Sequence, residues 1–116
     1  MRIEIISGSP RTSSLTKRVA KHLTNQLTAF AELSVGMIDI KEYQWGAVEN
    51  VCQGTSTAPS DRSEVVKRVF EADAFVLVTP EYNGSYSPAL KNFLDHFPKQ
   101  TEKVFGIVTA SPGAFG

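Results

Sequence analysis

The sequence predicts an α/β fold of three layers, a parallel sheet with helices on both faces. Strand-like apolar runs alternate with helical apolar stripes along the chain, in the order β-α-β-α-β-α-β. The third run, Ala74-Phe75-Val76-Leu77-Val78, is apolar throughout, as a strand covered on both faces must be. The segments after the first, third and fourth runs are rich in Gly, Ser, Asn or Pro. In such sheets these carboxyl-end loops are where ligands bind.

Taken in order, Ile3, Ile5 and Ile6 make a short strand that stops at Ser7-Gly8-Ser9-Pro10. Leu15, Val19, Leu23, Leu27 and Phe30 then recur every three or four residues, one stripe of a helix that starts near the hydroxyl cluster Thr12-Ser13-Ser14. Leu33, Val35 and Met37 alternate with Ser34 and Gly36, a half-buried strand suited to a sheet edge. Residues 41–60 are polar and aperiodic and read as a long loop, with a short helix over 47–51. Asp61 and Glu64 have capping-box spacing ahead of a helix whose buried face is Val65, Val66, Val69 and Phe70.

The central strand ends in Thr79-Pro80-Glu81-Tyr82-Asn83-Gly84. Ser87 and Pro88 form a cap followed by a first-turn proline; Leu90, Phe93, Leu94 and Phe97 carry the third helix, which Pro98 stops. Val104-Phe105-Gly106-Ile107-Val108 is the fourth strand. The ligand-binding rule therefore selects loops 7–14, 79–87 and 109–116.

The chain of 116 residues is long enough for one compact domain. Its 12 basic and 12 acidic residues give no net charge, which leaves no reason to expect nucleic acid or an acidic membrane surface as the main partner. One cysteine, Cys52, permits no intrachain disulfide and has no activating base nearby in sequence, so a reduced, cytoplasmic setting and an inert thiol are expected. Met1-Arg2-Ile3-Glu4-Ile5-Ile6 is too short and charged for a signal peptide, and no apolar run approaches the roughly 20 residues that span a bilayer.

The first loop joins a strand to a helix N-terminus, whose unpaired N–H groups and dipole favour an anion. Ser9, Ser14 and Thr16 add hydroxyls, Arg11 adds a guanidinium, and no acidic residue interrupts residues 7–16. The pattern is neither a Walker loop nor G-x-G-x-x-G, so a terminal phosphomonoester fits better than a triphosphate or a Rossmann-bound dinucleotide. An ordinary βα turn with capping serines is the plainer alternative. A tyrosine phosphatase of this topology needs its cysteine here, and a receiver domain needs an aspartate where Thr79 and Pro80 stand; neither requirement is met.

Gly8-Ser9-Pro10-Arg11 followed by Ser14 resembles the phosphate loop of the NADPH-dependent FMN reductase family. Pro80-Glu81-Tyr82-Asn83-Gly84-Ser85 with Pro88-Ala89-Leu90-Lys91-Asn92 resembles the same family's second signature. The resemblance implies a flavodoxin-like sandwich with strand order 2-1-3-4, the family's fifth strand and closing helices lying beyond this chain. It implies that Ser9, Arg11, Ser14 and Thr16 hold the FMN phosphate and that Pro80, Glu81, Tyr82, Asn83 and Gly84 line the ring. Ser111 and Gly113 would lie near the ring's pyrimidine end.

The implied function is an NAD(P)H-dependent FMN reductase that passes hydride from NADPH or NADH to FMN and on to a small-molecule electron acceptor such as a quinone, azo compound, metal or free flavin. A homo-oligomer is also implied. Because the cofactor carries the chemistry, no side chain is assigned as an acid or base. A flavodoxin-type electron carrier, or a flavin-binding remnant without turnover, is the alternative reading. His22 and His96 read as surface or helix-end residues, and Tyr43 and Trp45 as packing aromatics that could also shield a ligand. With no fifth strand beside it, the fourth strand would be an apolar edge inviting self-association.

Overall fold

The computed structural model of the protein describes residues 1–113; Ala114, Phe115 and Gly116, the end of the third expected loop, lie outside the described residues. The elements are β1 (Arg2–Ser7), α1 (Leu15–Thr28), β2 (Ser34–Asp39), α2 (Ser63–Glu71), β3 (Ala74–Tyr82), β4 (Ser85–Tyr86), α3 (Pro88–Asp95) and β5 (Val104–Ala110). β1 pairs in parallel with β2 on one side and β3 on the other, and β3 pairs in parallel with β5. The long strands thus stand in the order β2-β1-β3-β5, which is the expected 2-1-3-4 with β5 as the fourth long strand.

The sheet is not wholly parallel. β3 runs past the expected loop start to Tyr82 and folds back on the two-residue β4, with Glu81 opposite Tyr86 and Tyr82 opposite Ser85. The cause is local: Asn83 and Gly84 both take positive φ, 53° and 76°, as the two central residues of a tight hairpin turn require.

Strand alternation sends neighbouring isoleucines to opposite faces. Ile5 joins Ala20 and Val78 under α1, with Val19, Leu23 and Leu27 packed against them. Ile6 belongs to the larger core, with Ile38, Val65, Val66, Val69, Phe75, Leu90 and Phe93 under α2 and α3. Helices on both faces of the sheet make the three layers. The α1 stripe is displaced from expectation at its ends. The helix stops at Thr28, so Phe30 lies outside it and is exposed, and Leu15 is exposed at the first turn while Thr16 and Ala20 are buried.

Two expected local features do not form. Residues 47–51 hold no helix; single 3-10 turns at Ile40–Glu42, Thr55–Thr57 and Ser60–Arg62 organise the long connection instead. The Asp61–Glu64 capping box is absent, because the turn Ser60–Arg62 leads straight into α2, with Arg62 at the cap position and no side-chain cap bond. Asp61 Oδ1 lies 3.5 Å from Arg62 Nε instead.

Inside this frame sits a buried charge. Glu4, 1% exposed, receives Arg68 in a two-pronged contact, Nε to Oε1 at 3.0 Å and Nη2 to Oε2 at 2.5 Å, and Arg2 reaches Oε1 at 3.3 Å. Arg68 Nη2 also donates to the Met37 carbonyl at 3.0 Å. Gly36 is Glu4's register partner on β2. A Cβ there would fall 2.6 Å from Glu4 Oε2 and 2.7 Å from Arg68 Nη2, so the glycine makes room for the pair.

β5 has the apolar composition of a covered strand but pairs only with β3 among the described strands. Its Val104, Phe105 and Ile107 are 73%, 63% and 61% exposed. Beside it an open apolar groove of about 520 Å³ runs past Phe75, Leu77, Phe93, Leu94 and Phe97. Lys103 closes one side of that groove, donating to the Val69 and Phe70 carbonyls at the end of α2 at 2.9 and 2.8 Å. Burial pushes its ammonium pKa below the ordinary lysine value.

Candidate functional site

β1, β3 and β5 place their carboxyl ends side by side, and the candidate site is built on the segments that follow. The first loop leaves β1 at Gly8, whose N–H donates to the Val78 carbonyl at 2.8 Å. A Cβ on Gly8 would meet that carbonyl oxygen at 2.9 Å and Leu90 Cβ at 3.1 Å, so this close approach requires glycine. Ser9 is buried, and its Oγ accepts from the Arg11 N–H at 3.3 Å. Ser14 caps α1, its Oγ accepting from Lys17 N–H at 3.0 Å, as the hydroxyl cluster predicted.

In both serines the oxygen is used as an acceptor while the O–H is still available to donate. The N–H groups of Leu15 and Thr16 have no partner among the described residues, which follows from their place in the first helical turn. The Arg11 side chain is exposed and enters no ion pair among the described residues. Ser7 Oγ, at the root of the loop, is buried with no hydrogen-bond partner among the described residues. Flanking the loop, Lys17 Nζ pairs with Asp39 Oδ2 at 2.8 Å and more loosely with Glu42 Oε1 at 4.0 Å, and chiefly the Asp39 carboxylate raises the Lys17 pKa above the ordinary value.

The second signature folds as the β3–β4 hairpin and the start of α3. Glu81 Oε1 accepts from the Gly84 N–H at 2.5 Å, so this carboxylate braces the turn. Ser87 holds three groups at once. Its Oγ accepts from Leu90 N–H at 3.1 Å as the α3 cap and donates to the Gly8 carbonyl at 2.5 Å, and its N–H donates to Thr79 Oγ1 at 3.1 Å. Through Ser87 the two signature loops are bonded to each other.

Between the β3–β4 hairpin, α3 and the end of β5 lies a cleft of about 410 Å³, lined by Thr79, Pro80, Glu81, Gly84, Ser85, Tyr86 and Thr109 near the strand ends and by the apolar Leu77, Leu90, Leu94 and Ile107. Of the residues singled out from sequence, Pro80, Glu81 and Gly84 line this cleft, whereas Tyr82, Asn83, Ser111 and Gly113 do not. Ser9, Arg11, Ser14 and Thr16 stay together on the first loop and α1, outside its lining. Ser111 Oγ accepts from Gly113 N–H at 3.0 Å.

Sequence reasoning missed Thr79 and Thr109, which face each other in register at the ends of β3 and β5. It also missed Ser85 and Tyr86 on β4, which the Asn83-Gly84 pair could have flagged, since that pair suits a two-residue hairpin turn. His96 closes α3 as a helix-end residue but is buried, its ring 5.0 Å from that of Trp45. Trp45 packs edge-on to Phe93 and is buried with Cys52 in the larger core. Asn92, the last residue of the second signature, is turned away from the cleft. Its side-chain amide donates to the Trp45 and Gly46 carbonyls at 3.0 and 3.2 Å.

A doubly wound α/β/α sandwich with an anion-ready first loop and a cleft at the next strand ends defines the flavodoxin-like class of nucleotide-binding domains. Residues 1–116 match the family of NADPH-dependent FMN reductases along their whole length, and the chain belongs to that family. It is 36% identical over 115 residues to the FMN-dependent NADPH-azoreductase of Staphylococcus haemolyticus, covering 94% of this chain and 60% of that protein. With the Staphylococcus aureus FMN-dependent NADPH-azoreductase it is 32% identical over 98 residues, 79% of this chain and 50% of that one. The chain thus spans between half and three fifths of the length of these curated relatives.

Among solved structures, an apo NADH:FMN oxidoreductase superposes with a TM-score of 0.82 at 24% identity, over 97% of this chain and 59% of that one, a likeness of fold. The flavoenzyme NAD(P)H:(acceptor) oxidoreductase of Paracoccus denitrificans superposes with a TM-score of 0.69 at 26% identity, over 97% and 62% of the two chains.

Proposed function

We propose that this domain binds FMN and serves an NAD(P)H-dependent reductase whose final acceptor is a quinone, azo compound, metal or free flavin. The observation that carries the reading is the joining of the two signature loops by Ser87, which sets an anion-ready loop beside a partly apolar cleft. The residues fit a phosphorylated flavin. Ser9, Ser14 and Thr16 supply hydroxyls, and Arg11, unpaired among the described residues, supplies a charge for the phosphate. Ser7 Oγ, buried and without a hydrogen-bond partner among the described residues, lies at the foot of the same loop. The cleft, lined by the apolar Leu77, Leu90 and Ile107 and by polar hairpin groups, fits a flat ring that is apolar on one side and hydrogen-bonding along its edge.

In this reading Pro80, Glu81, Tyr82, Asn83 and Gly84 present the hairpin to the ring, Glu81 by fixing the turn, and Ser111 and Gly113 approach from the β5 side. Bound FMN supplies hydride acceptance from NAD(P)H and onward electron transfer. The protein's part is to hold the ring, keep one face open and orient it. No side chain needs to move a proton.

A reduced, cytoplasmic setting is supported by the single buried thiol of Cys52, and none of the described helices is long and apolar enough to cross a membrane. In this reading the protein is a homo-oligomer, as the family resemblance implies. A constant monomer mass by light scattering over a wide concentration range would overturn that part.

The test of function is a visible spectrum of the purified protein after loading with FMN and desalting, followed by anaerobic addition of NADPH. Retained flavin bands that bleach with NADPH are expected. A folded protein that keeps no flavin sinks the reading.

A further inference from the structure

On the opposite flank of the first loop lies a second, smaller pocket of about 240 Å³, walled by Pro10, Lys41, Tyr43, Trp45 and Asn92. The strand order places it. The pocket follows the end of β2, the cleft follows β3 and β5, and the first loop, on β1, stands between them. Pro10 belongs both to that loop and to the pocket wall. FMN ends at its phosphate, so a flavin anchored on the first loop stops short of this pocket.

The chemistry of the walls is that of a nucleotide-base site. Tyr43 is half-buried, and aromatic faces of this kind stack heterocyclic bases. Lys41 is exposed and enters no ion pair among the described residues, leaving its charge for a phosphate. Among the described residues no acidic side chain lines the pocket. The volume holds one bicyclic ring, below the usual range for a whole small-molecule site, as befits a subsite. The wall is fixed in place from below, because Asn92 bonds the Trp45 and Gly46 carbonyls and Trp45 is packed on Phe93.

We infer that this pocket takes the adenosine-phosphate half of a dinucleotide whose other half works over the cleft. Strands lie about 4.8 Å apart, so the two positions are two to three strand spacings, roughly 10–14 Å, from each other, a span that an extended dinucleotide bridges. The inference rests on the proposed function. In it the dinucleotide is the NAD(P)H co-substrate. FAD in place of FMN would deliver the same group to the same pocket.

Trp45 is the chain's one tryptophan and lines the pocket, so its fluorescence reports on it directly. Adenosine 5′-diphosphate, titrated into the flavin-free full chain, is expected to change Trp45 emission saturably. Tyr43→Ala should weaken that binding about tenfold or more. Lys41→Gln, an exposed substitution that leaves the packing alone, should weaken it about threefold. Tyr43→Phe should preserve it, and all three variants should keep wild-type FMN retention.

In the loaded protein, ADP that competes with NADPH without displacing flavin assigns the pocket to the co-substrate. ADP that displaces FAD but not FMN assigns it to the flavin dinucleotide. The inference is overturned if neither fluorescence nor equilibrium dialysis detects ADP binding at millimolar concentration, or if both Tyr43→Ala and Lys41→Gln bind ADP as wild type does. Failure of FMN to bind would overturn the proposed function alone, because the ADP titration is run without flavin.

Discussion

Ser87 donates its hydroxyl to the carbonyl of Gly8 at 2.5 Å, across 79 residues of sequence, while the same oxygen caps α3 by accepting from Leu90. One side chain therefore starts a helix and ties the candidate phosphate loop to the candidate ring loop. Ser87→Ala removes the cap and leaves the buried Gly8 carbonyl without this donor. The expected loss is about 2–3 kcal/mol, a missing cap plus an unsatisfied buried acceptor. Urea denaturation reads the loss of stability, and FMN retention after desalting should fall with it. A variant as stable as wild type would refute the role given to this hydroxyl.

Arg11 is the one cation on the first loop, and a phosphate would give it a charge-assisted partner. Arg11→Ala should weaken FMN binding by about tenfold or more, the value of a hydrogen bond to a charged group. Riboflavin, which has no phosphate, should bind both proteins alike. Equal weakening of the two flavins, measured by fluorescence quenching, would place Arg11 elsewhere than at the phosphate.

The Glu4–Arg68 pair predicts asymmetric mutational effects. Arg68→Met strands a buried carboxylate and should cost about 3–5 kcal/mol, whereas the double variant Glu4→Leu/Arg68→Met should recover most of that loss. Gly36→Ala should destabilise by about 1–3 kcal/mol by forcing a methyl group against the pair. Chemical denaturation of wild type, Glu4→Leu, Arg68→Met and the double variant forms a thermodynamic cycle, and a double variant no better than Arg68→Met alone would contradict it.

Two lysines shape the alkaline limb of stability in opposite senses. Lys17 has a raised pKa, chiefly from its hydrogen bond to Asp39. Its contribution is complete below the ordinary value of 10.5 and is lost as pH climbs through the raised folded value. Burial lowers the Lys103 pKa, so the fold gains stability from this group as pH rises from that lowered value towards 10.5. Relative to wild type, Lys17→Gln should flatten the decline above pH 10.5 and Lys103→Gln should bring it earlier. Urea midpoints across that range decide the matter; shifts of the same sign would show that the pairing is misjudged.

The alternation of elements, the strand order implied by the family likeness and the caps at Ser14 and Ser87 were legible because each rests on local pattern or on a signature. Other features depend on distant partners. Asn92 reads as a signature residue beside the ring loop, yet its amide bonds two carbonyls that lie 46 and 47 residues back along the chain. The apolar run stops at Val78, and Pro80 reads as part of the loop that follows. In the fold it stands opposite Ala110 and the strand continues through it, which is why β4 was not foreseen. Asp61 and Glu64 have the spacing of a capping box, but a 3-10 turn at Ser60–Arg62 supplies the helix start in its place. At the candidate site, the hydroxyls and lack of acids that nominate the first loop are visible in the sequence, whereas Thr79 and Thr109 became visible only once register set them side by side.

The hairpin of Asn83 and Gly84 has a consequence for the speed of recognition. Both residues already hold their left-handed angles, and the Glu81 carboxylate clamps the turn from within. In the proposed function the loop that meets the ring therefore loses little conformational freedom at the moment of contact, that loss having been taken when the chain folded. Capture becomes a collision with a finished surface instead of a search by a loose segment, so its rate should follow diffusion and orientation.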